Sequence, residues 1–192
     1  MDLYGRLEEL QGMTRVLIDD VTRLKPLVGG GNPDPTEEEK TYRRAYVRAV
    51  FALIEAFAEQ HRRLLVELAD AVYVTLPERQ LHELREIKIV LQDGVPQERR
   101  QYLRLYEKIK TVYNAAGTGF GQALKITFGD ENWETFLATI TIRDRLTHPK
   151  RYLDVFIHEA DLQQVYAASE WFKALQNEFV RVARAHREQQ RW

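Results

Sequence analysis

The chain has no cysteine among its 192 residues. That removes disulfides, thiolate zinc sites and cysteine nucleophiles together. No apolar run comes near the roughly 20 residues needed to cross a bilayer. The opening Met1-Asp2-Leu3-Tyr4-Gly5-Arg6 starts an amphipathic helix rather than the apolar core of a signal peptide. A cytoplasmic protein without a membrane partner is the expectation. The lone serine, Ser169, falls inside a predicted helix with no nucleophile elbow, which argues against a serine hydrolase. Charge of one sign is also missing. The formal net charge is −1, so any contact with nucleic acid must come from a local patch rather than a global field. Metal-ligand spacing is absent too: there is no HExxH, and none of the five histidines follows a glutamate by three residues. His158 and Asp161, one turn apart, do not make a site by themselves. No metal and no cofactor are expected.

What the chain does have is helical periodicity. With 44% hydrophobic and 30% charged residues it reads as globular, of a size that buries a real core in a single domain over 1–192. Leu3, Leu7, Leu10, Thr14, Leu17 and Val21 form one stripe, predicting a helix over 1–25. Three glycines and three prolines over 26–36 predict a mobile linker, possible hinge for that helix. From 37 to 192 the expectation is a bundle. Thr36 and Glu39 make a capping box for the longest helix, running to about 73 through Tyr42, Tyr46, Leu53, Phe57, Leu64 and Leu68. Pro77 opens a shorter helix through Leu81, Leu84, Ile87 and Leu91, ended by Asp93-Gly94. Pro96 starts another, through Tyr102, Leu105, Ile109 and Tyr113 to Gly117. The glycines of 117–121 lack a P-loop lysine and a preceding strand, and read as a helix break. Asp130 caps a helix to about 147, and a last long helix covers about 159–188. Strand-like alternation never persists. The fold class is all-α, with four core helices and two accessory ones.

An arginine-x4–6-histidine spacing occurs at Arg143/His148, Arg151/His158 and Arg181/His186. The last pair reads as a solvated basic helix end, and His158 as a surface or capping residue. At the first, Trp133, Phe136, Leu137 and Ile140 project forward by helical steps onto Arg143, placing the guanidinium on the inward face. Pro149 ends the helix at Thr147 or His148, which frees the imidazole to turn back toward Arg143. Asp144 can fix either group by a hydrogen bond. An arginine fork holds phosphate oxygens and a histidine moves a proton near neutral pH. These are the groups that metal-free phosphodiester cleavage needs.

The segment Arg143-Asp144-Arg145-Leu146-Thr147-His148, at a helix end before a last long helix, resembles the signature of the HEPN (higher eukaryotes and prokaryotes nucleotide-binding) superfamily. The resemblance covers the motif and the helical order from Thr36 to Glu188, without extended sequence similarity. It implies an HEPN-like bundle, a homodimer with both motifs facing a cleft, and metal-independent endoribonuclease activity. Toxin or defence roles, an antitoxin or regulatory protein as partner, and inactive members that bind a protein, nucleotide or RNA are equally implied. By position, Arg143 and His148 are the catalytic pair and Asp144 the polar residue beside them. Lys150 stands where one subgroup carries a modified tyrosine, so regulation of that kind is not expected. The hypothesised chemistry is attack by the ribose 2′-hydroxyl with His148 moving the proton and Arg143 stabilising the phosphorane. It would leave a 2′,3′-cyclic phosphate and spare DNA.

Arg145, Lys150 and Arg151 around the motif, with Arg104 and Lys108, are the expected contacts to single-stranded RNA. Arg145 is either a phosphate ligand or a solvent-facing helper. Arg99, Arg100, Arg104, Lys108 and Lys110 interleave with Tyr102, Tyr106 and Tyr113 on one predicted helix, a pattern suited to stacked bases. A plainer reading competes for the motif: Arg143 paired with a carboxylate such as Glu55, and His148 merely ending a helix.

Overall fold

The capping signals place the helices. Thr36 and Glu39 bond reciprocally, with the Glu39 amide donating to Thr36 Oγ1 at 3.2 Å and the Thr36 amide to Glu39 Oε2 at 2.7 Å. Asp130 Oδ1 accepts from the Trp133 amide at 2.9 Å. The computed structural model describes residues 3–125 and 127–189, and in the first helix describes side chains from Gly12 onward. The elements are α1 (Leu3–Leu24), α2 (Glu37–Asp70), α3 (Glu78–Leu84), β1 (Ile87–Gln92), β2 (Val95–Arg100), α4 (Leu105–Gly119), α5 (Glu131–Thr147) and α6 (Glu159–Gln189). Among the described residues the fold is all-α apart from this one hairpin. The side chains of Leu3, Leu7 and Leu10, which begin the first predicted stripe, lie outside the described residues.

The chain forms two compact units, Met1–Phe57 with Gly129–Ala174, and Ala58–Phe128 with Leu175–Trp192. In the first unit, Tyr46, Val47, Val50, Phe51 and Ile54 of α2 are buried with Trp133, Phe136 and Ile142 of α5 and Leu162, Val165 and Trp171 of α6. Trp171 meets the rings of Trp133 and Phe136 at centroid distances of 5.6 and 5.1 Å. At the end of this core sits Arg43, only 1% exposed. Its Nε donates to the Val28 carbonyl at 2.9 Å, and its Nη2 to the carbonyls of Gly29 and Asn32 and to Glu159 Oε2 at 3.0–3.1 Å. The predicted mobile linker is therefore fastened. Val28 is buried, Asn32 Nδ2 donates to Glu39 Oε2 at 3.2 Å, and Gly29 takes φ +61° with its Cα facing Glu39. The sequence pattern missed this because turn-forming residues signal a loop without saying who satisfies its carbonyls.

In the second unit the two predicted helices are present in shortened form, as α3 and α4, and the residues on either side of Asp93-Gly94 form a hairpin instead. Ile87 and Leu91 fit both a helical and an alternating pattern, Ile89 only the alternating one, and the turn decides between them. Asp93 and Gly94 take φ +52° and +80°, as a two-residue hairpin turn requires. The register runs from Ile87↔Arg100 to Gln92↔Val95, and the Gln101 amide continues the ladder to the Glu86 carbonyl at 2.7 Å. This phase points the main chain of Leu91 and Pro96 outward, so Pro96 costs no ladder bond. Behind the hairpin, Lys108 Nζ bridges Glu59 at 2.9 Å and Glu86 at 3.0 Å. Burial opposes the charge on Glu59, but donors from Arg62, Lys108 and Arg63 outweigh it and hold the carboxyl well below its usual range.

His61 is half-buried in this unit, with its ring laid against core side chains. Its ring stacks on Phe179 at 3.7 Å and 4°, and its Nδ1 lies 3.2 Å from the hydroxyl of buried Tyr113. Gln176 Nε2 donates to that same hydroxyl. Burial pushes the His61 pKa down to about 3.

Two expectations follow. Arg43→Met strands several carbonyls and Glu159 and lowers unfolding free energy by about 3 kcal/mol or more; Gly29→Ala, whose Cβ would lie 2.2 Å from Glu39 Oε1 at positive φ, destabilises through the same loop. Urea denaturation measures both, and a change under about 1 kcal/mol for Arg43→Met contradicts the clamp. For His61, the unfolded ring binds a proton below about 6.5 while the folded ring stays neutral to about 3. Stability therefore falls with acidification across that window, by up to about 1.4 kcal/mol per pH unit. His61→Asn should flatten the part of this slope that lies above the carboxylate range, between pH 6.5 and 5, in urea titrations at stepped pH.

Candidate functional site

The Arg143–His148 segment is the last turn and a half of α5. The helix buries Trp133, Phe136, Thr139, Ile142 and Leu146. This line passes beside Arg143 rather than through it, so the guanidinium sits at the flank of the buried face with its side chain 30% exposed. The helix stops where Pro149 dictates: His148 takes φ −129° and ψ 61°, and its amide donates to the Asp144 carbonyl at 2.9 Å. Its imidazole is exposed.

Arg143 is held on both sides. Nη1 donates to Asp144 Oδ1 at 2.8 Å, and Nη2 donates to Glu55 Oε1 on α2. Burial disfavours its charge, while the bond from Asp144 and the charge of Glu55 more than compensate and raise its pKa further. A guanidinium has five N–H donors, and these two bonds leave the others for an anion.

The neighbouring cations divide. Arg145 faces inward instead of serving solvent: Nη2 donates to Asp161 Oδ2 and to the Phe156 carbonyl at 3.1 Å. Asp161 Oδ2 also accepts the His158 amide at 2.9 Å, so Arg145 braces α5 against the first turn of α6, and His158 has the capping role its position suggests. Asp154 Oδ2 accepts the amides of Lys150 and Arg151, each at 2.9 Å, which lowers its pKa. Those bonds fix the backbone and leave the Lys150 and Arg151 side chains exposed. Three cations, Arg143, Arg145 and Arg151, thus meet four carboxylates, Glu55, Asp144, Asp161 and Asp154, while Lys150 reaches Asp154 only through its backbone amide. The basic patch expected here is balanced, with Lys150 and Arg151 as its accessible part.

Arg104 and Lys108 belong to the other unit. Arg104 precedes α4, where its amide donates to Glu107 Oε2 at 2.9 Å and its side chain is exposed. Lys108 is spent on Glu59 and Glu86. Arg181 and His186, read as a solvated helix end, are also engaged: Arg181 pairs with Glu178 at 2.9 Å, and His186 Nε2 lies 3.0 Å from the Tyr73 carbonyl. The role of Asp161 as partner of Arg145 and of the His158 amide was not anticipated, although a carboxylate three residues after a helix-opening position was a legible signal. Among the described residues no group of three or more histidines and carboxylates could hold a metal ion, and no helix is long and apolar enough to cross a membrane.

Because Arg143 and Glu55 are both partly exposed, at 30% and 41% for their side chains, solvent screens the pair. A double-mutant cycle with Arg143→Ala and Glu55→Ala is expected to give a coupling near or below about 1 kcal/mol. A coupling of several kcal/mol would make Arg143 a structural anchor first. Compared with known proteins, the chain matches no family model, no curated protein and no solved structure.

Proposed function

We propose that the chain is a metal-independent endoribonuclease of HEPN type that cuts RNA to 2′,3′-cyclic phosphate ends. The observation that carries this reading is the joint presentation of Arg143 and His148 at one helix end. Pro149 releases His148 from α5 into solvent, while Asp144 and Glu55 orient a guanidinium that keeps free donors. His148 accepts the 2′-hydroxyl proton or supplies one to the leaving 5′-oxygen. Arg143 stabilises the charge that builds on the phosphorane, and Lys150 and Arg151 draw the substrate backbone in. A homodimer that places two motifs across a cleft, a toxin or defence role, and an antitoxin or regulatory partner belong to the same proposal and rest on the family resemblance.

A second reading has its own support. The Arg143–Glu55 pair is the one that a non-catalytic helical module would need, with Arg143 structural and the surface binding a protein, nucleotide or RNA partner.

Incubation of labelled single-stranded RNA in EDTA decides between them. Cleavage by the wild type is expected, with a loss of about 10²–10⁴-fold in His148→Ala. Arg143→Ala should fall comparably while its unfolding midpoint barely moves, and an all-deoxy strand should stay intact. Intact RNA across several sequences sinks the enzyme reading and leaves the module.

A further inference from the structure

The predicted basic helix with interleaved tyrosines is a helix only from Leu105 onward, as α4, and its residues divide sharply. Tyr113 is core, Tyr106 is half-buried and Lys108 is bridged between two carboxylates. Lys88, Arg99, Arg100 and Tyr102 remain, all exposed, on the hairpin and the extended residues that follow it. None of those three cations has a carboxylate within 4.0 Å among the described residues; Arg99 donates instead to Gln92 Oε1 at 2.8 Å. The register sets Lys88 directly opposite Arg99, a like-charge pair that costs the hairpin stability.

The other face of the ladder carries a different set. Ile89 and Leu91 are 54% and 73% exposed there, and Arg100 continues the same face through its pairing with Ile87. Two residues on, Tyr102 is 73% exposed, and the Arg100 guanidinium lies 4.7 Å from its ring centroid. An exposed tyrosine with an arginine already stacked on it is a preformed platform for a planar base, with a cation beside it for the adjoining phosphate. Glu98 is the single carboxylate on this face, opposite Ile89. Buried apolar contact does not explain Tyr102, and ion pairing does not explain Arg100.

We infer that this hairpin is a single-stranded RNA-binding arm: bases stack on Tyr102 and against Ile89 and Leu91, and Arg100, with Arg104 and the Lys88/Arg99 pair, neutralises phosphates. The choice of RNA rests on the function proposed above. An acidic extended protein segment would also meet the cations, but it has no use for the Arg100–Tyr102 stack.

The test is anisotropy of a labelled 12-nucleotide 2′-O-methyl oligouridylate, which cannot be cut because its 2′-oxygens are blocked. An abasic chain of equal length and an oligoglutamate serve as comparisons. The oligouridylate should bind more tightly than both. Tyr102→Ala should weaken it about tenfold, and Tyr102→Phe should restore it. Arg100→Gln and Arg104→Gln should each flatten the log–log salt dependence by about 0.7. Far-ultraviolet circular dichroism checks that each variant folds. No oligouridylate binding, equal binding of the abasic chain or oligoglutamate, or indifference to Tyr102→Ala overturns the assignment. The two proposals fail separately. Tyr102-dependent binding beside uncut natural RNA removes the nuclease and keeps the arm, whereas cleavage without Tyr102-dependent binding does the reverse.

Discussion

Arg43 organises the first unit. Its buried guanidinium collects the carbonyls that the Gly/Pro segment leaves without partners and ties them to Glu159 at the start of α6. Two chain stretches more than a hundred residues apart are thereby joined at a single side chain. A buried charge is tolerable only because nearly every donor is used. Lysine could not do this, since a point charge cannot fan out over carbonyls in one plane. The position and opening of α2, and so the placement of Glu55 three turns further along, depend on this attachment.

The α5 terminus shows the same economy. Each carboxylate near the motif has a backbone or side-chain donor assigned to it: Asp154 takes two amides, Asp161 takes an arginine and an amide, and Asp144 takes Arg143. The side chains of His148, Lys150 and Arg151 face solvent. A site in which most charges are internally balanced is held in place before any ligand arrives. Such preorganisation is useful for catalysis and equally useful for a binding module.

Capping boxes, prolines and apolar stripes made the helices of this chain readable: the starts at Thr36 and Asp130 and the stop before Pro149 all sit where local chemistry puts them. Two features were not readable in the same way. The hairpin was hidden because Ile87 and Leu91 satisfy a four-residue helical step as well as an alternating one, and Asp93-Gly94 ends a helix as naturally as it turns a hairpin. The partners of charged residues were hidden because they are set by tertiary proximity. Glu55 could be named in advance as a partner for Arg143, but nothing local announced that Arg43 is buried or that His61 stacks on Phe179. Spacing reveals faces; it does not reveal which of many charges end up facing each other.

The phase of the β-ladder has one more consequence. Pro96 occupies a position whose main-chain nitrogen points away from β1, so the outer border of β2 is interrupted by a residue with no hydrogen to offer. The outer border of β1 has no such interruption. The border of β2 is therefore the poorer template for an added strand. Exposed Ile89 and Leu91 thus share a hairpin with a β2 border that a proline blunts as a template for a further strand.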